Sequence, residues 1–292
     1  MVNEKLSVII PAFSGHAQLQ RCLGALDHST FRDFEIIVVD HGNTSDISDW
    51  LRSEFPHVDC ARGSSKLWWS GATNTGIKHA LRKGSTLIML LNHDCYVRKD
   101  TIGTLLSRLH NQDNAIIAPT QVNTKTGRET IGATSFFLAG FSTITPPASW
   151  YRRFHSDTLI PVRLIPGGRG VIIKASVFDK VGLFNEAQLP HYGADHDFYF
   201  RCRKAAIKLY ICGDVKVDID DTMSTLGDMD SELSLANFMD SLRNRRSHRN
   251  IKDLATLFSM HFPIPPLAPV GFALHLVRYS TIYFVKMIFR SK

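Results

Sequence analysis

Thr86-Leu87-Ile88-Met89-Leu90-Leu91-Asn92-His93-Asp94 is the stretch that decides the fold. Its first six residues are the most apolar run in the body of the chain. They are too few for a helix and are closed by polar residues, which reads as a central strand buried on both faces. Upstream, Leu6 to Ile10 reads as a strand followed by a helix around His16 to Leu26. Phe34 to Val39 is strand-like and ends in Asp40. A polar turn, His41 to Asp46, then leads into a helix through Leu51. A weaker strand near Val58 and Cys60 precedes a helix around Ala72 to Leu81. Strands alternating with helices predict an α/β domain with a mostly parallel central sheet flanked by helices.

Downstream the pattern loosens. Residues 121–165 hold strand-like pieces with Gly127, Gly132 and the Pro146-Pro147 pair, expected to form loops built over the sheet. Pro166-Gly167-Gly168-Arg169-Gly170 is a turn running into the strand Val171 to Ile173. A helix from Asp195 to Ala206 and a strand at Leu209 to Ile211 follow, and the last 50 to 60 residues read as helical. The expected division is a catalytic domain over residues 1–220 and a basic helical C-terminal extension over 221–292.

The formal charge of +7 on 292 residues is unevenly placed. Residues 243–292 hold nine Lys and Arg (Arg243, Arg245, Arg246, Arg249, Lys252, Arg278, Lys286, Arg290, Lys292) against Asp253 alone, a net +8. The first 242 residues keep 25 basic and 26 acidic residues, a net −1. A near-neutral body argues against a nucleic-acid-binding surface, which needs basic residues spread over one face. Cys22, Cys60, Cys95, Cys202 and Cys212 are odd in number and scattered, without a C-x-x-C. That pattern predicts a reducing compartment and neither a disulfide framework nor a cysteine zinc site. The N-terminal apolar run, stopped by Pro11, is too short for a signal peptide and predicts a protein kept on the cytoplasmic side.

Ligands of such sheets bind at the carboxyl ends of the strands, which singles out Pro11-Ala12-Phe13, Asp40 and Asn92-His93-Asp94. No G-x-x-x-x-G-K-[ST] occurs and no G-x-G-x-x-G follows the first strand, which argues against a P-loop enzyme and an ordinary dinucleotide-binding dehydrogenase. Asp94 is placed to hold Mg²⁺ or Mn²⁺, which take oxygen ligands and share them with substrate phosphates. The alternative is a cap for the helix near Thr101. Asp40 reads equally as an Asx-turn before Gly42. In His191-Tyr192-Gly193-Ala194-Asp195-His196-Asp197, the two aspartates point apart because i and i+2 do not share a helix face. One is then free to act as a general base while the other caps the helix or pairs with Arg201 at i+4. The alternative makes both of them first-turn acids favoured by the helix dipole.

These segments, with Trp68 to Ile77, Gly168 to Lys174, Val181 to Glu186 and Tyr192 to Arg203, occur in the order found in family 2 glycosyltransferases. From Leu6 to about Ile211 the chain resembles that family's GT-A fold, in particular the bacterial rhamnosyltransferase-like branch. The resemblance implies that Pro11, Ala12 and Phe13 line the base and ribose and that Asp40 hydrogen-bonds the imide of a uracil or thymine. It implies that Gly71, Asn74 and Gly76 border the diphosphate, with His93 on the nucleotide side. Asp94 would be the acidic end of the D-x-D metal motif and Asp195 the catalytic base. Trp68, Trp69, Gly168, Arg169, His191 and Tyr192 would border the sugar and acceptor pocket.

The sequence departs from that pattern in three places. The metal motif reads Asn92-His93-Asp94 and lacks its first carboxylate. The usual Glu-Asp pair at the base is Ala194-Asp195. Where relatives place a metal-binding His, this chain has Val217-Asp218-Ile219-Asp220-Asp221, offering Asp218 or Asp220 instead. The implied activity is inverting, metal-dependent transfer from a UDP- or dTDP-sugar to a glycan or lipid-linked acceptor, in cell-surface polysaccharide (O-antigen or capsule-like) biosynthesis. A sugar-phosphate nucleotidyltransferase would need a Gly- and Arg-rich N-terminal loop that Pro11-Ala12-Phe13-Ser14 does not supply. A catalytically decayed glycan- or partner-binding protein is the non-enzyme alternative. On a helical wheel, Val270, Ala273, Leu274, Leu276, Val277, Phe284, Val285, Met287 and Ile288 fall on one side, with His275, Arg278 and Lys286 opposite, interrupted by Tyr279, Ile282 and Phe289. This predicts a basic amphipathic helix lying in a membrane interface, peripheral on the inner face of the cytoplasmic membrane. The alternatives are packing on the catalytic domain and a homodimer contact.

Overall fold

The computed structural model describes residues 4–44, 46–131, 149, 159–220 and 233–290. The expected loops around Gly132 and Pro146-Pro147 and the acid Asp221 lie outside the described residues.

Strand β1 (Leu6–Ala12) is buried along its whole length, and β2 (Phe34–Asp40) and β4 (Leu87–Leu91) are buried at nearly every position. They lie parallel, with β3 (Asp59–Arg62) beyond β2, and Ala12 registers against Asp40. Successive side chains of a strand point to opposite faces. Val8, Ile10 and Val38 accordingly join one apolar cluster, while Ile9, Ile37 and Val39 join the other. The helices α1 (His16–Asp27), α2 (Asp46–Glu54) and α3 (Trp68–Arg82) cross between these strands. The parallel half is therefore the one that alternating apolar runs and helices predict.

The full sheet has ten strands and is mixed, in the order β3-β2-β1-β4-β9-β6-β10-β5, with β7 on β6 and β8 on β10. Here β5 is Cys95–Val97, β6 Ala115–Asn123, β7 Glu129–Thr130, β8 Leu159–Pro161, β9 Arg169–Lys174 and β10 Lys208–Ile219. Strand β9 runs antiparallel to β4. The reason is local, because the glycine turn before β9 sits at the end of β4, where Asn92 N–H donates to the Gly168 carbonyl at 2.7 Å. The chain can only run back from there. Gly170 adopts φ +85°, and a Cβ on it would meet Pro119 Cγ at 2.9 Å. Helix α4 (Thr101–His110) follows β5, and α5 (Ala175–Val181) follows β9. Helix α6 (Ala194–Lys204) precedes β10.

The expected C-terminal extension is helical: α7 (Leu235–Arg243), α8 (Ile251–His261) and α9 (Ala268–Arg290). Its middle helix is built into the main core, where Leu257 and Phe258 of α8 join Phe198 and Tyr199 of α6. His261 Nε2 bonds Asp197 Oδ1 at 2.8 Å, and its ring lies 4.9 Å from Phe200. Helix α9 packs inward through Phe272, His275, Tyr279 and Tyr283, which touch Phe258 of α8 or Phe238 of α7. Its other side exposes Val270, Leu274, Val277, Val285, Ile288 and Phe289. Among the described residues, no helix is long and apolar enough to cross a membrane.

Candidate functional site at the strand ends

Two hydrogen-bonded links gather the residues singled out by sequence. The Gly167 N–H donates to Asp195 Oδ2 at 2.9 Å, and the neighbouring Gly168 carbonyl accepts from Asn92 N–H. Asp195, the glycine turn and the Asn92-His93-Asp94 end of β4 are thus tied within one short chain of contacts. Asp195 stands in the first turn of α6, half-buried, with its second oxygen accepting from the His196 N–H at 2.9 Å. Both donors are backbone groups, so the carboxylate is oriented by main chain. Gly193 caps the helix at φ +84°, a conformation that glycine adopts without the Cβ penalty.

Asp197 does the other job. It is fully buried and accepts from Arg201 Nε at 3.0 Å, from Arg201 Nη2 at 2.8 Å and from His261. Burial alone would raise its pKa, but the hydrogen bonds from His261 and Arg201 prevail and hold the carboxyl below its ordinary range. Arg201 also donates to the carbonyls of Val181 and Leu183. The i, i+4 pair expected from sequence is therefore a structural bolt between α6, the end of α5 and α8.

Three of the aromatic rings singled out by sequence lie against one another. Trp68 faces His191 at 5.8 Å between ring centroids, and His191 faces Tyr192 at 4.6 Å. Trp68 has φ +51°, a strained value for a large side chain and of a kind that clusters at functional sites. Trp69 belongs as much to the core, packing edge-on against Phe184 at 5.3 Å. Its Nε1–H donates to Asn92 Oδ1 at 3.0 Å, and a Cβ on Gly168 would meet Trp69 Cζ2 at 2.9 Å. Asn92 is thus committed to an indole, which gives the missing first carboxylate a physical counterpart. Arg169 Nη1 donates to Gln121 Oε1 at 2.8 Å, while its buried Nε has no partner among the described residues.

Most of the residues expected on the nucleotide side are buried. Pro11 and Ala12 are buried inside β1, and of the three residues only Phe13 keeps accessible surface. Asp40 has no exposed side chain: Oδ1 accepts from the Gly42 N–H at 3.1 Å, and Oδ2 takes the Ser48 N–H, the Ser48 hydroxyl and Arg62. The Asx-turn alternative is the one observed, and this carboxylate has no open edge for an imide. Gly71, Asn74 and Gly76 lie within α3 and form no loop. A Cβ on Gly76 would strike Ile9 Cγ2, so this glycine serves close helix–sheet packing. The Asn74 amide is consumed by Phe184 N–H, the Phe184 carbonyl and Glu186.

What does reach the strand ends is histidine. His41, following Asp40, lies 5.4 Å from the Phe13 ring. Burial first, and then His93 and His191, push its pKa down to about 4, against the opposing pull of Asp40. His191 is likewise pushed down to about 4, by burial and by Arg246. The buried Nδ1 atoms of His41 and His191 have no hydrogen-bond partner among the described residues, and orphaned buried polar atoms point to a missing ligand or water. His93 sits beside the start of α1, where a Cβ on Gly15 would come within 3.2 Å of its Nε2. His41 was not singled out from sequence. Its one signal was its position directly after a strand-ending aspartate.

A divalent cation finds few protein ligands here. Asp94 is half-buried, and among the described residues no three His, Cys, Asp or Glu side chains are grouped to hold a metal. Asp218 is paired with Arg98 at 2.7 Å. Asp220 donates its N–H to the Asp94 carbonyl at 2.9 Å, but its carboxylate meets Arg21 at 3.5 Å and the Tyr96 hydroxyl at 3.5 Å. Mg²⁺ is commonly held by one or two carboxylates and completed by substrate phosphates and water. Asp94 fits that minimal arrangement and no fuller one.

A mixed sheet with its polar residues gathered at the ends of β1, β2 and β4 is the GT-A architecture of nucleotide-diphospho-sugar transferases. The solved structure of GalNAc-T7 with UDP, GalNAc and Mn²⁺ superposes with a TM-score of 0.61, at 17% identity, over 75% of this chain and 44% of that one. Staphylococcus aureus TarS 1-349 in complex with UDP gives a TM-score of 0.58 at 15% identity, over 96% and 90%. The chain belongs to glycosyl transferase family 2, whose family model matches residues 7–181. Curated relatives include the low-salt glycan biosynthesis hexosyltransferase Agl10 of Haloferax volcanii, 24% identical over 72% of this chain and 65% of its own length. Glycosyltransferase GlyA of Streptococcus pneumoniae is 26% identical over 37% of this chain, which spans only 16% of that protein.

Proposed function

We propose that this glycosyltransferase moves a sugar from a UDP- or dTDP-linked donor to a hydroxyl of a glycan or lipid-linked glycan, with inversion at the anomeric carbon. The observation that supports this reading most is the single half-buried carboxylate of Asp195. It is oriented by two backbone N–H groups and tied through the glycine turn to the end of β4. Asp195 takes the acceptor hydroxyl's proton as its oxygen bonds to the anomeric carbon and the bond to the diphosphate breaks, releasing the nucleoside diphosphate. General-base assistance of this kind contributes roughly 10²–10⁴-fold. One carboxylate opposite the leaving group suits a single displacement. Phe13 offers a ring to the base, and Trp68, His191 and Tyr192 border the sugar and acceptor. A Mg²⁺ or Mn²⁺ ion held by Asp94, completed by the diphosphate and water, would offset the charge growing on the leaving group.

Incubating the purified full chain with a panel of UDP- and dTDP-sugars, Mg²⁺ or Mn²⁺ and candidate acceptors tests this. Nucleoside diphosphate release, with an inverted anomeric proton signal in the product, supports it. Retained configuration, or no release from any donor, contradicts it.

The outward stripe of α9, with Arg278 and Lys286 also exposed, supports peripheral attachment to anionic bilayers at the inner face of the cytoplasmic membrane. The name of the Agl10 relative, a low-salt glycan biosynthesis hexosyltransferase, agrees with a role in glycan biosynthesis. Flotation with phosphatidylglycerol vesicles should be lost in Val277→Asp/Ile288→Asp. Undiminished flotation, or a dimer that the double variant dissociates, would assign the stripe elsewhere.

A further inference from the structure

The turn between α7 and α8 carries four of the nine basic residues of the tail, counting Arg243 at its edge, and the structure gives them different tasks. Arg245 lies 3.8 Å from the buried Asp253, and Arg249 lies 4.6 Å over the Tyr279 ring. Arg246 goes elsewhere, with its guanidinium 5.8 Å over the Phe13 ring and close enough to His191 to influence its protonation. His248, two residues on, meets Tyr192 ring to edge at 6.1 Å. One short turn therefore touches the nucleotide side of the site at Phe13 and the acceptor side at His191 and Tyr192.

The turn is held firmly. Asn250 is buried, its Oδ1 accepts from the Asp253 N–H at 3.1 Å, and its amide donates to the Arg243 carbonyl at 2.7 Å. Backbone bonds from Ser247 to Asn244 and from Asn250 to Ser247 close it. Beyond it, α8 is locked into the core by Phe258 and by the His261–Asp197 contact. A cation on a preordered turn loses little freedom when it binds, which favours it as a ligand contact. Across from it the acidic inventory is thin, since Asn92 replaces a carboxylate and no three-ligand metal group occurs among the described residues.

We infer that Arg246 is a donor-binding residue that pairs with the donor's diphosphate, supplying positive charge where the metal motif is depleted. This rests on the donor reading above. A guanidinium presents a planar fork matched to phosphate oxygens, and its place above Phe13 puts that fork beside whatever nucleoside stacks there. The same chemistry would suit the diphosphate of a lipid-linked acceptor. Contact with Phe13, on the nucleotide side, favours the donor.

The test uses the full chain without acceptor, titrated calorimetrically with UDP and dTDP at fixed Mg²⁺, and with uridine at millimolar concentration by ligand-observed NMR. Arg246→Ala and Arg246→Gln should weaken UDP or dTDP binding about tenfold or more. Uridine binding should be unchanged, Arg246→Lys should restore part of the loss, and Arg243→Ala, an exposed control in the same turn, should behave as wild type. Unchanged diphosphate affinity in the Arg246 variants overturns the inference, and leaves the donor reading intact if the wild type binds. Equal loss for uridine and UDP overturns it too, by showing a stacking or packing role. Normal donor affinity with a raised KM for a lipid-linked acceptor reassigns Arg246 to the acceptor. A wild type that binds no nucleoside diphosphate overturns both the inference and the reading beneath it.

Discussion

Replacing Asp197 by alanine separates two carboxylates that lie two residues apart and look equivalent in sequence. Asp197 has no solvent exposure, and its partners His261 and Arg201 have side-chain exposures of 3% and 24%. Removing one member of a buried, hydrogen-bonded charge group leaves the others uncompensated and costs about 3–5 kcal/mol. That is a large share of the roughly 5–15 kcal/mol by which most domains are stable. For a chain of this size it lowers the melting temperature by roughly 10 °C. The loss should also depend on pH. Asp197 titrates below its unfolded value in the fold, so its stabilisation is present above the unfolded pKa and fades as pH falls through the folded one. Wild type and Asp197→Ala should therefore converge in strong acid. Asp195 accepts two backbone hydrogen bonds from a half-exposed position, so Asp195→Ala should cost only about 1 kcal/mol. Guanidinium unfolding at pH 7 and at pH 3, with each variant, measures both. Equal destabilisation by the two substitutions, or a gap between wild type and Asp197→Ala as wide at pH 3 as at pH 7, would refute the division of labour.

Gly76→Ala should destabilise by about 1–3 kcal/mol in thermal unfolding, because the clash with Ile9 outweighs the helix-propensity gain of alanine. Asn92→Asp should fold normally, since an Asp oxygen still accepts from Trp69 Nε1, and should bind Mn²⁺ several-fold more tightly in the presence of UDP. Unchanged Mn²⁺ affinity would remove Asp94 and its neighbours from the metal site. His41, His191 and His248 are each pushed down to about 4, so they fold as neutral rings and bind protons more readily when unfolded. Their contribution is complete above pH about 6.5 and is lost as pH falls toward about 4. A stability profile over that window should decline, and less steeply in His248→Gln.

The parallel half of the sheet was legible because β1, β2 and β4 are buried runs whose alternate residues feed two separate clusters. The mixed half was not, since nothing in Val171-Ile172-Ile173 reveals its direction. Only the seating of Gly168 at the end of β4 does so. The glycine turn before β9 and the helix start at Asp195 were legible because their backbone chemistry announces them. The packing partners of Gly76 and Asn74 were not, because a small or polar residue can serve either packing or a ligand. Arg246 was hidden in a charge run whose members the fold sends in three directions, and no periodicity in Asn244 to Asn250 distinguishes them.

The most direct measurement compares donor affinity and turnover in Asp195→Asn. Calorimetry with UDP or dTDP should give wild-type affinity, while single-turnover sugar transfer should fall by roughly 10²-fold or more. Near wild-type transfer at intact donor affinity would contradict the assignment of Asp195 as the base and, with it, the central claim about how this site works.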